Sequence, residues 1–145
     1  MTDKEKQLLL KDLCARLPYG IKILHEGWNY EWDDELSTVE RVVGIDENFI
    51  YTKVIDTHNG EEYRDDKYCV DLFDDKLFLR PMSSMTEEEM EELLNIDKKR
   101  GMYSSRHLTW HIDGEIIDYL NKKMFDWRGL IPMGLALEAP EGMYK

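Results

Sequence analysis

Two histidines four residues apart, His107 and His111, are the pair in this chain that most resembles the start of a metal site. On a helix that spacing sets both imidazoles on one face, and Asp113 stands close enough in sequence to offer a third ligand. The intervening Leu108-Thr109-Trp110 favours strand or loop, and no Glu follows His107 as a zinc-protease helix requires. Paired carboxylates are more numerous: Asp33-Asp34-Glu35, Asp65-Asp66 and Asp74-Asp75. None has the alternating ligands and central glycine of a calcium loop, and neighbours in a strand point to opposite faces. The expectation is solvated acids and no metal.

Nucleophile chemistry is as poorly supplied. Cys14 falls within an apolar helical stripe, where burial would silence its thiol, and Cys69 lies among acids that disfavour a thiolate. No glycine-rich phosphate loop and no Gly-x-Ser-x-Gly elbow occurs. The chain is therefore expected to be no enzyme and to need no cofactor.

Trp28-Asn29-Tyr30-Glu31-Trp32 is the most unusual local feature. At period two its three rings share one side of an extended segment. They either close the core over the first helix or form an edge that grips a protein. The flanking acids Glu26, Glu31, Asp33, Asp34 and Glu35 argue against nucleobases as what they stack on.

Charge sharpens the second reading. Between Glu26 and Asp75 there are sixteen Asp or Glu against four Lys or Arg, a net of −12, while the remaining fifteen of each sign cancel. Such a field repels nucleic acid and anionic membranes and suits a basic protein partner. The expected contact residues are Trp28, Tyr30, Trp32, Asp33, Asp34, Glu35, Asp65 and Asp66. In its sharpest form the acidic surface imitates DNA. A small metal-dependent hydrolase built on His107 and His111 is one alternative. Nucleic-acid binding through Lys98, Lys99, Arg100, Arg106, Lys122, Lys123 and Arg128 is another.

The elements that must position these residues can be read next. Thr2 and Glu5 form a capping box ahead of Leu9, Leu13 and Leu17, and Pro18-Tyr19-Gly20 ends that helix. Period-two patterning then runs to about Met82: Ile21–Glu26, Ser37–Ile45, Phe49–Ile55, a turn at Asn59-Gly60, Glu61–Arg64, and Leu77–Leu79. A second capping box at Thr86 and Glu89, with Met85 and Met90 as a staple, opens a helix that Gly101 closes. A third helix starts at Asp113, a short fourth turn starts at Asp126, and residues 138–142 fray. The fold class is α+β: a small antiparallel sheet or SH3-like curled barrel after one helix and before a three-helix C-terminal part. The domain boundaries are 1–82 and 83–145, the second packed on the first.

Aromatic content of 11% argues for a folded chain, and two lone cysteines suit reduced thiols in a cytoplasmic setting. No apolar run approaches a membrane span. An edge strand leaves a homo-oligomer open.

Several phrases are familiar. Leu13-Cys14-Ala15-Arg16-Leu17-Pro18-Tyr19-Gly20 opens the chain, and Pro81-Met82-Ser83-Ser84-Met85-Thr86-Glu87-Glu88-Glu89 follows the β region. Tyr119-Leu120-Asn121, Phe125-Asp126-Trp127-Arg128-Gly129-Leu130-Ile131 and Gly134-Leu135-Ala136-Leu137-Glu138-Ala139-Pro140-Glu141-Gly142-Met143-Tyr144 complete the set. Together they resemble a family of small proteins of gut Bacteroidetes and their phages. The resemblance covers both ends and not the acidic middle. It implies a mobile-element setting and carries no catalytic residue.

Overall fold

The computed structural model describes residues 1–29, 33–46, 50–55, 62–68, 75–99 and 114–144. Helix α1, Asp3–Arg16, starts where Thr2 accepts from the Glu5 amide and Glu5 reaches back to the Thr2 amide. A short 3-10 turn, Leu17–Tyr19, ends it, with Gly20 at φ 77°. Strands β1 (Lys22–Asn29), β2 (Asp34–Ile45), β3 (Ile50–Ile55), β4 (Glu62–Tyr68) and β5 (Lys76–Leu79) follow. Helices α2 (Glu87–Lys99) and α3 (Gly114–Lys122) and strand β6 (Ala136–Glu138) complete the order.

The strands lie in the order β4-β3-β2-β1-β5-β6, with two ends, so the sheet is open rather than a curled barrel. It is also mixed. β1 to β5 pair antiparallel, whereas β6 runs parallel to β5 through Leu77↔Ala136. A parallel return needs a crossover, and the α2–α3 region supplies it. Beyond α3, residues around Asp126 form turns in place of a fourth helical piece. Asp126 itself bars a helix there, because its carboxylate takes the Leu130 and Ile131 amides.

One core gathers Leu9 and Leu13 of α1, Ile21, Ile23, Val42 and Ile50 of the sheet region, and Leu77, Leu130 and Leu135. It therefore draws on both sides of residue 82. A second cluster joins Leu93, Ile116, Leu120 and Phe125, with Met85 packed against it. The capping box at Thr86 forms, but Met90, the expected staple partner, is exposed. Residues 138–144 do not fray. Ala139 donates to Leu79 O, and the Tyr144 hydroxyl accepts from the Lys22 amide and donates to Phe78 O.

Candidate functional site

The β1–β2 ladder is longer than anything beside it. Its register runs from Lys22↔Arg41 to Asn29↔Asp34. On one side β5 pairs only with Ile23 and Leu24, and on the other β3 stops at Glu40↔Val54. Five pairs, His25↔Thr38 through Asn29↔Asp34, thus lie beyond both neighbouring strands among the described residues. We refer to these five pairs as the β1–β2 ribbon; residues 56–61, which follow β3, and 69–74, which precede β5, lie outside the described residues.

A ribbon this long follows from its sequence. Residues 21–29 keep the period-two pattern, and no proline or helix signal interrupts Asp34–Ile45. Asp33 turns the chain at φ 50°, a left-handed conformation that Asp tolerates better than most side chains.

The ribbon carries three of the eight expected contact residues, Trp28, Asp34 and Glu35, with Asp33 at its turn. The register sets Trp28 opposite Glu35 and Asn29 opposite Asp34. Asp33 is exposed at the turn, and Glu26, opposite Ser37, is exposed on the strand. Tyr30 and Trp32 lie outside the described residues. Asp65 and Asp66 belong to β4, at one end of the sheet order and two strands away from the ribbon. The eight residues are therefore not brought onto one element.

At the ribbon's base the sheet holds a polar group that the sequence did not single out. His25 Nδ1 lies 3.0 Å from Asp75 Oδ1, and the carboxylate is 3% exposed. Across the ladder, Thr38 donates to Glu40 Oε1 at 2.8 Å, and Thr52 on β3 donates to Glu40 Oε2. Glu40 is 1% exposed, and both its oxygens are met by hydroxyls, which is what a buried carboxylate requires. Asp75 thus leaves the acidic surface for the interior, contrary to the expectation of solvated acids at Asp74-Asp75, and Glu40 is buried as well. For Glu40 the alternation with Val42, opposite Ile23, was the available signal.

A second polar group lies at the opposite end, against α1. Asp12 and Arg16, i and i+4 on the helix, are both fully buried and joined at 2.7 Å. Arg16 Nη2 also donates to Phe125 O at 2.8 Å, and Arg128 Nε donates to Asp12 at 3.1 Å while stacking on Trp127. The buried stripe of α1 is thus Leu9, Asp12, Leu13 and Arg16, and Cys14, a helical position away, is exposed. Close by, Arg80 clasps Glu89 with two bonds of 2.8 and 2.9 Å and lies over the Phe125 ring. Arg80 holds the Glu89 carboxyl down at about 2. The Tyr119 and Tyr144 hydroxyls are pushed up, chiefly by burial.

These arginines bear on the nucleic-acid alternative. Arg128 is spent on Asp12, and Lys123 lies 3.7 Å from Glu92, while Lys122 is exposed. The side chains of Lys98 and Lys99, and all of Arg100, Arg106, His107 and His111, lie outside what is described. So do Cys69 and the Asn59-Gly60 turn. Among the described residues no three His, Cys, Asp or Glu converge to hold a metal. No described helix is long and apolar enough to cross a membrane.

No protein family, curated protein or solved structure matches the chain.

Proposed function

We propose that the protein is a non-enzymatic binding module, an accessory of a mobile element, that grips a basic protein partner with the β1–β2 ribbon. The observation that carries this is the length of the β1–β2 ladder, which among the described residues runs five pairs beyond the pairings of β3 and β5 and ends at the exposed Asp33. Its composition selects the partner: from Glu26 to Val39 there are five Asp or Glu and no Lys or Arg, with Trp28, Tyr30 and Trp32 among them. Aromatic anchors ringed by charge are the make-up of a contact patch that is steered to its partner and then held.

Imitation of DNA is the less favoured form of this reading. A phosphate mimic needs its carboxylates on the surface, and Glu40 and Asp75 are turned inward.

The test is affinity capture on the immobilised full chain at about 0.1 M and about 0.5 M salt, where the Debye length falls from roughly 10 to roughly 4 Å. The triple variant Trp28→Ala/Asp34→Asn/Glu35→Gln runs alongside. A basic protein retained by the wild type at low salt, released at high salt and ignored by the variant supports the reading. Equal retention by both chains removes it.

A further inference from the structure

We infer that Arg128, laid on Trp127, is a receptor for one small oxyanion, a carboxylate or a phosphate group. The site belongs to the polar group against α1 and does not depend on the ribbon. Its frame is a turn. The Asp126 carboxylate takes the Leu130 and Ile131 amides, and Gly129 at φ 75° bends the chain between them. Trp127 and Arg128 are thereby held side by side. The indole is fixed by a bond of its own, from Trp127 Nε1 to Asn121 Oδ1 at 2.9 Å, and Asn121 is buried. The Arg128 guanidinium lies 4.0 Å from the indole ring centre and is pinned there by Nε, which donates to Asp12 Oδ1 at 3.1 Å.

Asp12 engages Arg128 through Nε alone. The two Nη nitrogens have no partner among the described residues, and the side chain is 16% exposed. On the same carboxylate, Arg16 Nη1 is buried without a partner. Two guanidiniums thus share one carboxylate, and their N–H donors outnumber its acceptors. Asp126, the next carboxylate along the chain, is taken up by amides. An arginine pinned at Nε and resting on an aromatic ring has given up its rotamer freedom before a ligand arrives. Its outer fork matches two oxygens of a carboxylate or phosphate with parallel charge-assisted bonds. A backbone of many phosphates is a poorer match, because Lys123 is turned to Glu92 and Arg16 is closed off from solvent. One fork marks one oxyanion.

The experiment follows the Trp127 indole N–H and Arg128 Nε–H signals of the isotope-labelled full chain by NMR. Sodium acetate, inorganic phosphate or sodium chloride is added at constant ionic strength. Both signals should shift saturably with acetate or phosphate and not with chloride, at a dissociation constant of about 1 mM, the strength of a few charge-assisted bonds open to water. Tighter acetate assigns the site to a carboxylate ligand, and tighter phosphate assigns it to a phosphate ester. Arg128→Lys keeps the charge and removes the fork, and should weaken binding about tenfold or more. Lys122→Gln removes an exposed charge six residues away and should change binding by less than about twofold. If Arg128→Lys does not fold, the ion selectivity of the wild type and the Lys122→Gln result decide. Shifts that stay linear, or that chloride reproduces, overturn the site, and so does a tenfold loss in Lys122→Gln.

Discussion

The two ends of this molecule spend their polar residues differently. Around α1 and residues 124–131, charged groups are turned inward and matched. Asp12 takes Arg16 and Arg128, Arg16 also reaches Phe125 O, and Asp126 holds the Leu130 and Ile131 amides. At the ribbon, by contrast, Glu26 and Asp33 face solvent, and five ladder pairs have no third strand among the described residues. Charge that is buried and paired fixes a fold, whereas the exposed Glu26 and Asp33 are what the proposed partner would meet. Substitutions in the first region should therefore cost stability, and substitutions in the second should cost binding.

The largest effect is expected at Asp12. Asp12→Ala leaves the fully buried Arg16 guanidinium without its carboxylate and frees Arg128, and breaking a buried pair on one side costs about 3–5 kcal/mol. Urea unfolding should show that loss, and a change under about 1 kcal/mol would erase the contrast between the two ends. Asp126→Ala comes next. It strips the acceptor from two amides, one of them buried, for about 2–3 kcal/mol on the same measurement.

Tyr144→Phe is smaller. The hydroxyl bridges the Lys22 amide and Phe78 O at 3.0 and 2.8 Å, so its removal should cost about 1–2 kcal/mol and speed exchange of the Lys22 amide. Glu89 gives a pH signature. Its carboxyl titrates at about 2 in the folded chain, below its ordinary 4.5, so its contribution is whole above pH 4.5 and is lost as pH falls toward 2. Arg80→Met should flatten that part of the acid-unfolding profile. An unchanged profile would mean that the clasp adds little.

Much of this division was legible beforehand. The capping boxes at Thr2 and Thr86 are local signals, three residues wide, and both form. The β-branched runs gave β2 and β3, and the fold class α+β holds. What failed were non-local features. Nothing in Leu135-Ala136-Leu137 announces that it will run parallel to Leu77–Leu79, and the parallel pairing is decided by the crossover. Asp12 and Arg16 read as the polar side of a leucine helix, and only Phe125 and Arg128, more than a hundred residues on, make their burial tolerable. That Trp28, Asp34 and Glu35 form a contact surface was an expectation from composition and remains a proposal. Their register, Trp28↔Glu35 and Asn29↔Asp34, is a pairing that composition could not supply.

The most direct test combines the two ends in one experiment on Trp28→Ala/Asp34→Asn/Glu35→Gln. The account predicts an unfolding free energy within about 0.5 kcal/mol of wild type, as for surface changes, together with loss of the salt-sensitive capture of a basic protein. Destabilisation of about 2 kcal/mol or more with that capture intact would contradict it, by making the ribbon part of the core and not a surface for a partner.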